Sequence, residues 1–241
     1  MLDFLNNYIE TIDNQLLHDA LWVTVNEVPF AIWETIYVTV LSTLFAVILG
    51  LPLGVLLVAG EKNGVMPLPS WLMSIINTVI NLLRSIPFLI LMIMAFPLTE
   101  LILGTRIGTV AMIVPLVIAA FPFVARLVES SLREINPNII EAAESMGATP
   151  FQIIVKVMIP ESVPSLISNF TIAITTVLGY SAMSGIIGGG GLGKIAINYG
   201  YYRYRDAEMY ISVVLLVLLV IAFQSLGNYL AKKSDKRLKN N

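Results

Sequence analysis

The 241-residue chain contains no cysteine and one histidine, His18. Without thiols it has neither disulfides nor thiolate metal sites, and one imidazole cannot supply a ligand cluster. Charge is scarce: 12% of residues are Asp, Glu, Lys or Arg, against roughly 25% in soluble domains. The net charge is −2 and no basic stripe precedes the C-terminal tail, so nothing favours nucleic acid. The first Lys or Arg is Lys62, and the N-terminus lacks the basic region of a signal peptide. What the chain has is apolar surface. Hydrophobic residues make up 57%, and the mean hydropathy is +0.84. Such a composition belongs in lipid, and an all-α integral membrane protein of one domain is expected.

Five segments reach the roughly 20 apolar residues a spanning helix needs. They are residues 36–59, 75–98, 107–127, 163–187 and 209–230. The first contains Gly50-Leu-Pro-Leu-Gly54, an expected kink; Asn81, Arg84 and Pro87 interrupt the second; Pro115 and Pro122 lie in the third. Prolines persist in spans where neighbouring groups satisfy the freed carbonyls. Nine Lys and Arg fall on the side receiving the 60–70 loop, the 126–162 loop and the tail, against four (Arg106, Lys194, Arg203, Arg205) on the other. This bias places the C-terminus in the cytoplasm and the N-terminus outside. Residues 1–28 then read as an acidic exterior extension. Its apolar positions Leu2, Leu5, Ile9, Ile12, Leu16 and Ala20 recur at helical spacing. Residues 29–231 form the transmembrane domain, and 232–241 a basic cytoplasmic tail.

Between the third and fourth spans the sequence turns polar and carries its own helix punctuation. Asn136 suits an N-cap and Pro137 the first helical position. The helix runs to Met146, and Gly147 is placed to end it in the left-handed conformation. Thr149, Pro150 and Gln152 then spell a second N-terminus with a capping box, and Pro160 is expected to stop that helix. Taken alone, this rigid knob either connects two spans or docks into something in the adjacent water.

Glu141-Ala142-Ala143, three residues (Glu144 to Met146), Gly147, nine residues, then Val157-Met158-Ile159-Pro160 resembles the coupling motif of ABC importer permeases. The usual tail is Ile-x-Leu-Pro, so the departure is conservative. Asn81-Leu-Leu-Arg-Ser-Ile-Pro-Phe88, residues 118–129, Leu178-Gly-Tyr-Ser-Ala-Met183 and Gly188-Gly-Gly-Gly-Leu-Gly193 are similar to the methionine importer permeases. That resemblance covers roughly residues 30–230 and implies a type I importer fold, five spans, and a coupling helix within residues 136–160. It implies two copies in a bacterial plasma membrane, alternating access, a small amino acid as substrate, and an exterior binding protein. It also implies a separate ATPase dimer on the cytoplasmic side that uses ATP and Mg, with no cofactor in this chain. Glu141, Ala142, Ala143, Glu144, Met146, Gly147 and Pro160 would then be the coupling element. A permease for another small zwitterion, such as a quaternary amine osmoprotectant, would carry similar motifs.

Other residues keep two readings. Tyr180, Ser181, Met183 and Ser184 form a short polar run in an apolar helix. They suit either the lining of a methionine path, where Met and aromatic rings match a thioether, or helix packing. Arg84 is either a gate residue or a structural pair, with Glu129 or a backbone carbonyl as partner. Gly188, Gly190 and Gly193 mimic both a P-loop and a dinucleotide fingerprint, yet no βαβ unit surrounds them and Ile195 stands where Ser or Thr should be. They are expected to form a flexible, close-packing exterior turn or gate hinge. The exterior loops 100–106 and 188–208 are the expected docking surface for a binding protein, with Arg203 and Arg205 available for ion pairs. Ser184-Gly185 in a span does not make an intramembrane serine protease, because no histidine lies in any span to act as base. A passive channel lacks its rings of charge or carbonyls.

Overall fold

Long apolar runs interrupted by Pro and Gly build helices that break only where backbone chemistry demands it. The structure, a computed structural model, describes residues 15–235. The extension's positions Leu2, Leu5, Ile9 and Ile12 and the tail from Lys236 lie outside the described residues. Short helix α1 (Gln15–Asn26) leads into α2 (Val28–Ala59), a 32-residue helix that continues unbroken past Pro52. α3 (Ser70–Ser85) ends at Ile86, whose extended conformation is the one a following proline imposes. α4 (Phe88–Met94) departs at 109° to it, and α5 (Phe96–Leu103) follows. α6 is Ile113–Arg133. The knob is α7 (Pro137–Ser145), then α8 (Pro150–Ile153). A π-helical turn (Ile154–Met158) joins α8 to α9 (Ile159–Ser184). The hairpin beyond holds α10 (Gly191–Ile195) and a second π-helical turn (Ala196–Tyr201), and α11 (Asp206–Ser234) closes the order.

Among the described residues four helices are long and apolar enough to cross a membrane, or five if α3 and α4 form one broken span. Two expectations change. The third span begins at Ile113 rather than 107, because residues 105–112 are turns hung on Gly104 and Gly108, both with positive φ. Pro160 does not end a helix: residues Pro150–Ile187 run continuously. A proline inside an α-helix lacks its N–H and collides with the carbonyl four residues back. Here the preceding turn has widened, and the Ile159 N–H bonds to the carbonyl of Ile154, five residues back.

The core lies between α2, α6 and α9, where Ala46, Leu116, Ala120, Val124, Val128, Ala173 and Val177 are fully buried. α2 meets α6 across its glycines. A Cβ on Gly50 would lie 2.8 Å from the Val124 Cβ, and one on Gly54 2.5 Å from the Val128 Cβ. Small residues at such crossings let backbones approach closely, which is how helices associate without a hydrophobic drive between them. The opposite faces of α3 (Trp71, Ile75, Val79, Leu82) and α11 (Val213, Val214, Val217, Leu218, Ile221) are exposed and apolar, as lipid-facing surfaces are.

Candidate functional site

Three places carry the residues singled out from the sequence. At one end of the bundle stands the knob. The Asn136 side chain accepts from the Asn138 N–H at 3.0 Å. At the other end of α7, Gly147 takes φ +79°; its N–H bonds to the Glu144 carbonyl, and that of Ala148 to the Ala143 carbonyl. This is the double bond pattern that closes a helix on glycine. The capping box forms as spaced: Gln152 N–H to Thr149 Oγ1 at 3.4 Å, Thr149 N–H to Gln152 Oε1 at 2.9 Å. Ala143 is buried in the core, which seats the knob on the bundle. Glu141, Ala142, Glu144, Met146 and Gly147 are exposed, as is Pro160. Met146 and Phe151 present 81% and 73% of their surface, so the knob offers a bare apolar patch.

Beside it lies an ionic network that sequence reasoning missed. Arg126 donates to Glu129 at 2.6 Å, to Asn77 at 2.9 Å and to Asn81 at 2.8 Å. Arg133 bridges Glu129 at 2.8 Å and Glu61 at 2.5 Å. These bonds tie α6 to α3 and to the loop after α2. The pairing expected between Arg84 and Glu129 is not made, because two arginines on Glu129's own helix, three residues before it and four after, claim the carboxylate.

Arg84 sits instead at the break between α3 and α4, with no hydrogen bond or ion pair among the described residues. It lines a cavity of about 170 Å³ with Leu83, Ile86, Phe88, Leu91, Ala119, Phe123 and Tyr180. The Tyr180 ring stacks on Phe88, with centroids 4.1 Å apart and planes 8° from parallel. The polar run on α9 therefore divides. Met183 is 47% exposed, while Tyr180, three residues before it, is partly buried against the core and lines the cavity. Ser181 and Ser184 point inward. Ser181 donates to the Leu178 carbonyl at 2.8 Å and lies 3.4 Å from the Thr39 hydroxyl, while Ser184 donates to the Ser181 carbonyl.

At the opposite end the glycine run forms a hairpin clamped on α2. Gly188 and Gly191 have positive φ. A Cβ on Gly193 would run into the backbone of Ala182, and one on Gly190 into Thr109 and Glu34. Glu34 accepts from the Thr109 hydroxyl and from the Gly191 N–H at 2.8 Å; Thr35 Oγ1 takes the Leu192 N–H at 2.9 Å. Among the described residues no strand surrounds this run, so neither nucleotide-motif lookalike has its required frame. Nearby, Tyr199 donates to Glu27 at 2.7 Å, and burial together with that carboxylate raises the phenol above its ordinary value. Arg205 is not available for a partner: Asp19 holds it at 2.8 Å and Glu208 at 3.6 Å. Arg203 lies over the Tyr199 ring, 4.8 Å from its centroid, and remains exposed.

A family model described as "binding-protein-dependent transport system inner membrane component" matches residues 50–240. The chain belongs to that family. It is a membrane component of a transport system rather than an enzyme. A probable D-methionine transport system permease protein, MetI, of Vibrio cholerae serotype O1 is 47% identical over 221 residues, covering 90% of this chain and 97% of that protein. A protein of the same description from Haemophilus influenzae is 45% identical, covering 87% and 98%. Among solved structures, a chain of the MetNI methionine ABC transporter in inward-facing conformations superposes with a TM-score of 0.83 at 43% identity. It covers 85% of this chain and 94% of that one. A crystallised amino acid ABC transporter shares the fold at a TM-score of 0.69 and 20% identity.

Proposed function

We propose that this chain is the permease subunit of a methionine ABC importer, two copies of which form the pathway across a bacterial plasma membrane. The observation that carries the reading is the knob at residues 136–160. A helix fixed at both ends by its own caps, seated through Ala143 and bare at Met146, transmits a push from outside the chain instead of absorbing it. Its partner is a separate ATPase dimer, which binds ATP and Mg and closes against the two copies of α7. Glu141, Ala142, Glu144, Met146 and Gly147 face that partner. The excess of Lys and Arg at the knob's end puts it in the cytoplasm, with the N-terminus outside.

Methionine follows from the relatives' names and suits the cavity at the α3–α4 break. The Arg84 guanidinium, without an ion pair among the described residues, matches a carboxylate, and Phe88, Tyr180, Phe123 and Leu91 surround a thioether with soft, apolar contact. An exterior binding protein delivers the substrate onto loops 100–106 and 188–208, where Lys194 and Arg203 are exposed cations and Arg106, also exposed, is paired with Glu100.

Reconstitution of the chain with its ATPase and binding protein in vesicles tests the reading. ATP-driven methionine uptake is expected, lost when the ATPase is inactivated. Uptake that survives a dead ATPase would remove the primary-pump reading. Tyr180→Phe and Met183→Ala should lower methionine-stimulated turnover without reducing assembly; unchanged uptake in both returns these side chains to packing.

A further inference from the structure

The end of the bundle away from the knob carries a carboxylate whose partners come from distant parts of the chain. Glu34 lies in the second turn of α2, half-buried, with no cation partner among the described residues. Its two oxygens take the Thr109 hydroxyl from the 105–112 segment and the Gly191 N–H from the hairpin. One residue on, Thr35 takes the Leu192 N–H, and the Gly108 N–H closes the third side on the Gly188 carbonyl at 3.0 Å. Three segments thus meet at one acidic side chain, held by hydrogen bonds to a charged acceptor, the stronger kind.

The glycines around this junction leave no room for a hinge. A Cβ on Gly185 would lie 2.6 Å from the Lys194 nitrogen, and the corresponding contacts at Gly190 and Gly193 are tighter still. Glycine here serves contact, since hinges need slack around the residues that turn.

We propose that Glu34 is a positioning residue that fastens residues 185–195 to α2 and to the 105–112 segment, so that this end of each copy moves as one block while the pathway opens elsewhere. The glycine-rich run then acts as a staple, and α9, which carries Tyr180 and Met183, inherits its position from α2. The uptake readout rests on the importer reading; the exchange readout does not.

The chain has no cysteine of its own, so Ile107→Cys with Gly188→Cys supplies its only thiol pair; a Cβ on Gly188 would lie 3.7 Å from the Ile107 Cβ, a disulfide-like spacing that leaves both donors to Glu34 in place. In the full complex in vesicles, oxidising that pair should leave uptake close to that of the reduced form. A loss of about tenfold on oxidation, reversed by reductant, would mean the segments must part during transport, and would overturn the proposal. Glu34→Ala should speed amide exchange at Gly191 and Leu192 by about tenfold or more, with Glu34→Gln intermediate. It should also depress coupled uptake in a complex that still assembles, and the disulfide placed in that background should restore both. Unchanged exchange in Glu34→Ala, or no rescue by a formed disulfide, defeats the proposal. Should the glycine replacement prevent assembly, the exchange measurement on the two Glu34 variants decides alone. A wild-type complex that fails to take up methionine counts against the substrate reading and leaves the exchange result standing.

Discussion

The two ends of this bundle are held by opposite means. At the knob, each bond is made between residues close in sequence: Asn136 with Asn138, Thr149 with Gln152, Gly147 with Glu144. At the hairpin, Glu34 bonds residues 75 and 157 positions away. The first end is rigid in itself and open on its outer face; the second is rigid because it is fastened to others. A part that transmits force from a partner needs the first design. A part that must keep its place in the bundle needs the second.

Paired glycine substitutions sharpen this contrast most. Gly193→Ala would push a methyl group into the Ala182 backbone. Overpacking of that kind costs about 1–3 kcal/mol, and no side chain relieves it, so Gly193→Asn should do no better in thermal unfolding of the complex. At Gly147 a Cβ meets nothing, and the whole requirement is φ +79°. Gly147→Ala should cost about 1 kcal/mol of knob stability, and Gly147→Asn should recover most of it because Asn tolerates that conformation. If both sites respond alike to Asn, the distinction between a conformational and a packing glycine fails. Thr149→Ala removes one half of the capping box and should cost about 1 kcal/mol, read as faster amide exchange in residues 151–153. The smallest effect belongs to Arg133→Gln. Arg133 is 47% exposed beside a similarly exposed Glu61, where such pairs contribute about 0–1 kcal/mol, and its less exposed partner Glu129 keeps Arg126 when Arg133 is lost. Its loss should shrink further in high salt; a large, salt-independent loss would show the network to be part of the seat of the knob.

The same contrast explains what the sequence discloses. Caps and the left-handed glycine depend on residues within five positions of one another, so Asn136, Gly147, Thr149 and Gln152 can be read directly. The spans are legible because lipid demands long apolar runs. Pro160 misleads, because whether a proline ends a helix depends on the turn before it, and Ile154–Met158 has widened into a π-helical turn. Arg84 misleads for a related reason: Glu129 has closer suitors at Arg126 and Arg133 on its own helix. Glu34 gives no local signal at all. It stands just ahead of the first apolar run, and nothing nearby in sequence announces Thr109 or Gly191 as its partners. The division of the polar run on α9, with Met183 exposed, Tyr180 at the cavity and Ser181 and Ser184 buried, follows from helical spacing once one face is known to meet Thr39.

On the proposed function, the knob is the point where ATP hydrolysis reaches the membrane. The most direct test compares ATP-driven methionine uptake by vesicles holding the wild-type complex with uptake by the Gly147→Val complex, whose branched side chain cannot follow φ +79°. The expected result is a fall of about tenfold or more, with ATPase subunits lost from the complex or turning over uncoupled, and with the bundle itself intact. Normal uptake with full retention of the ATPase subunits would contradict it.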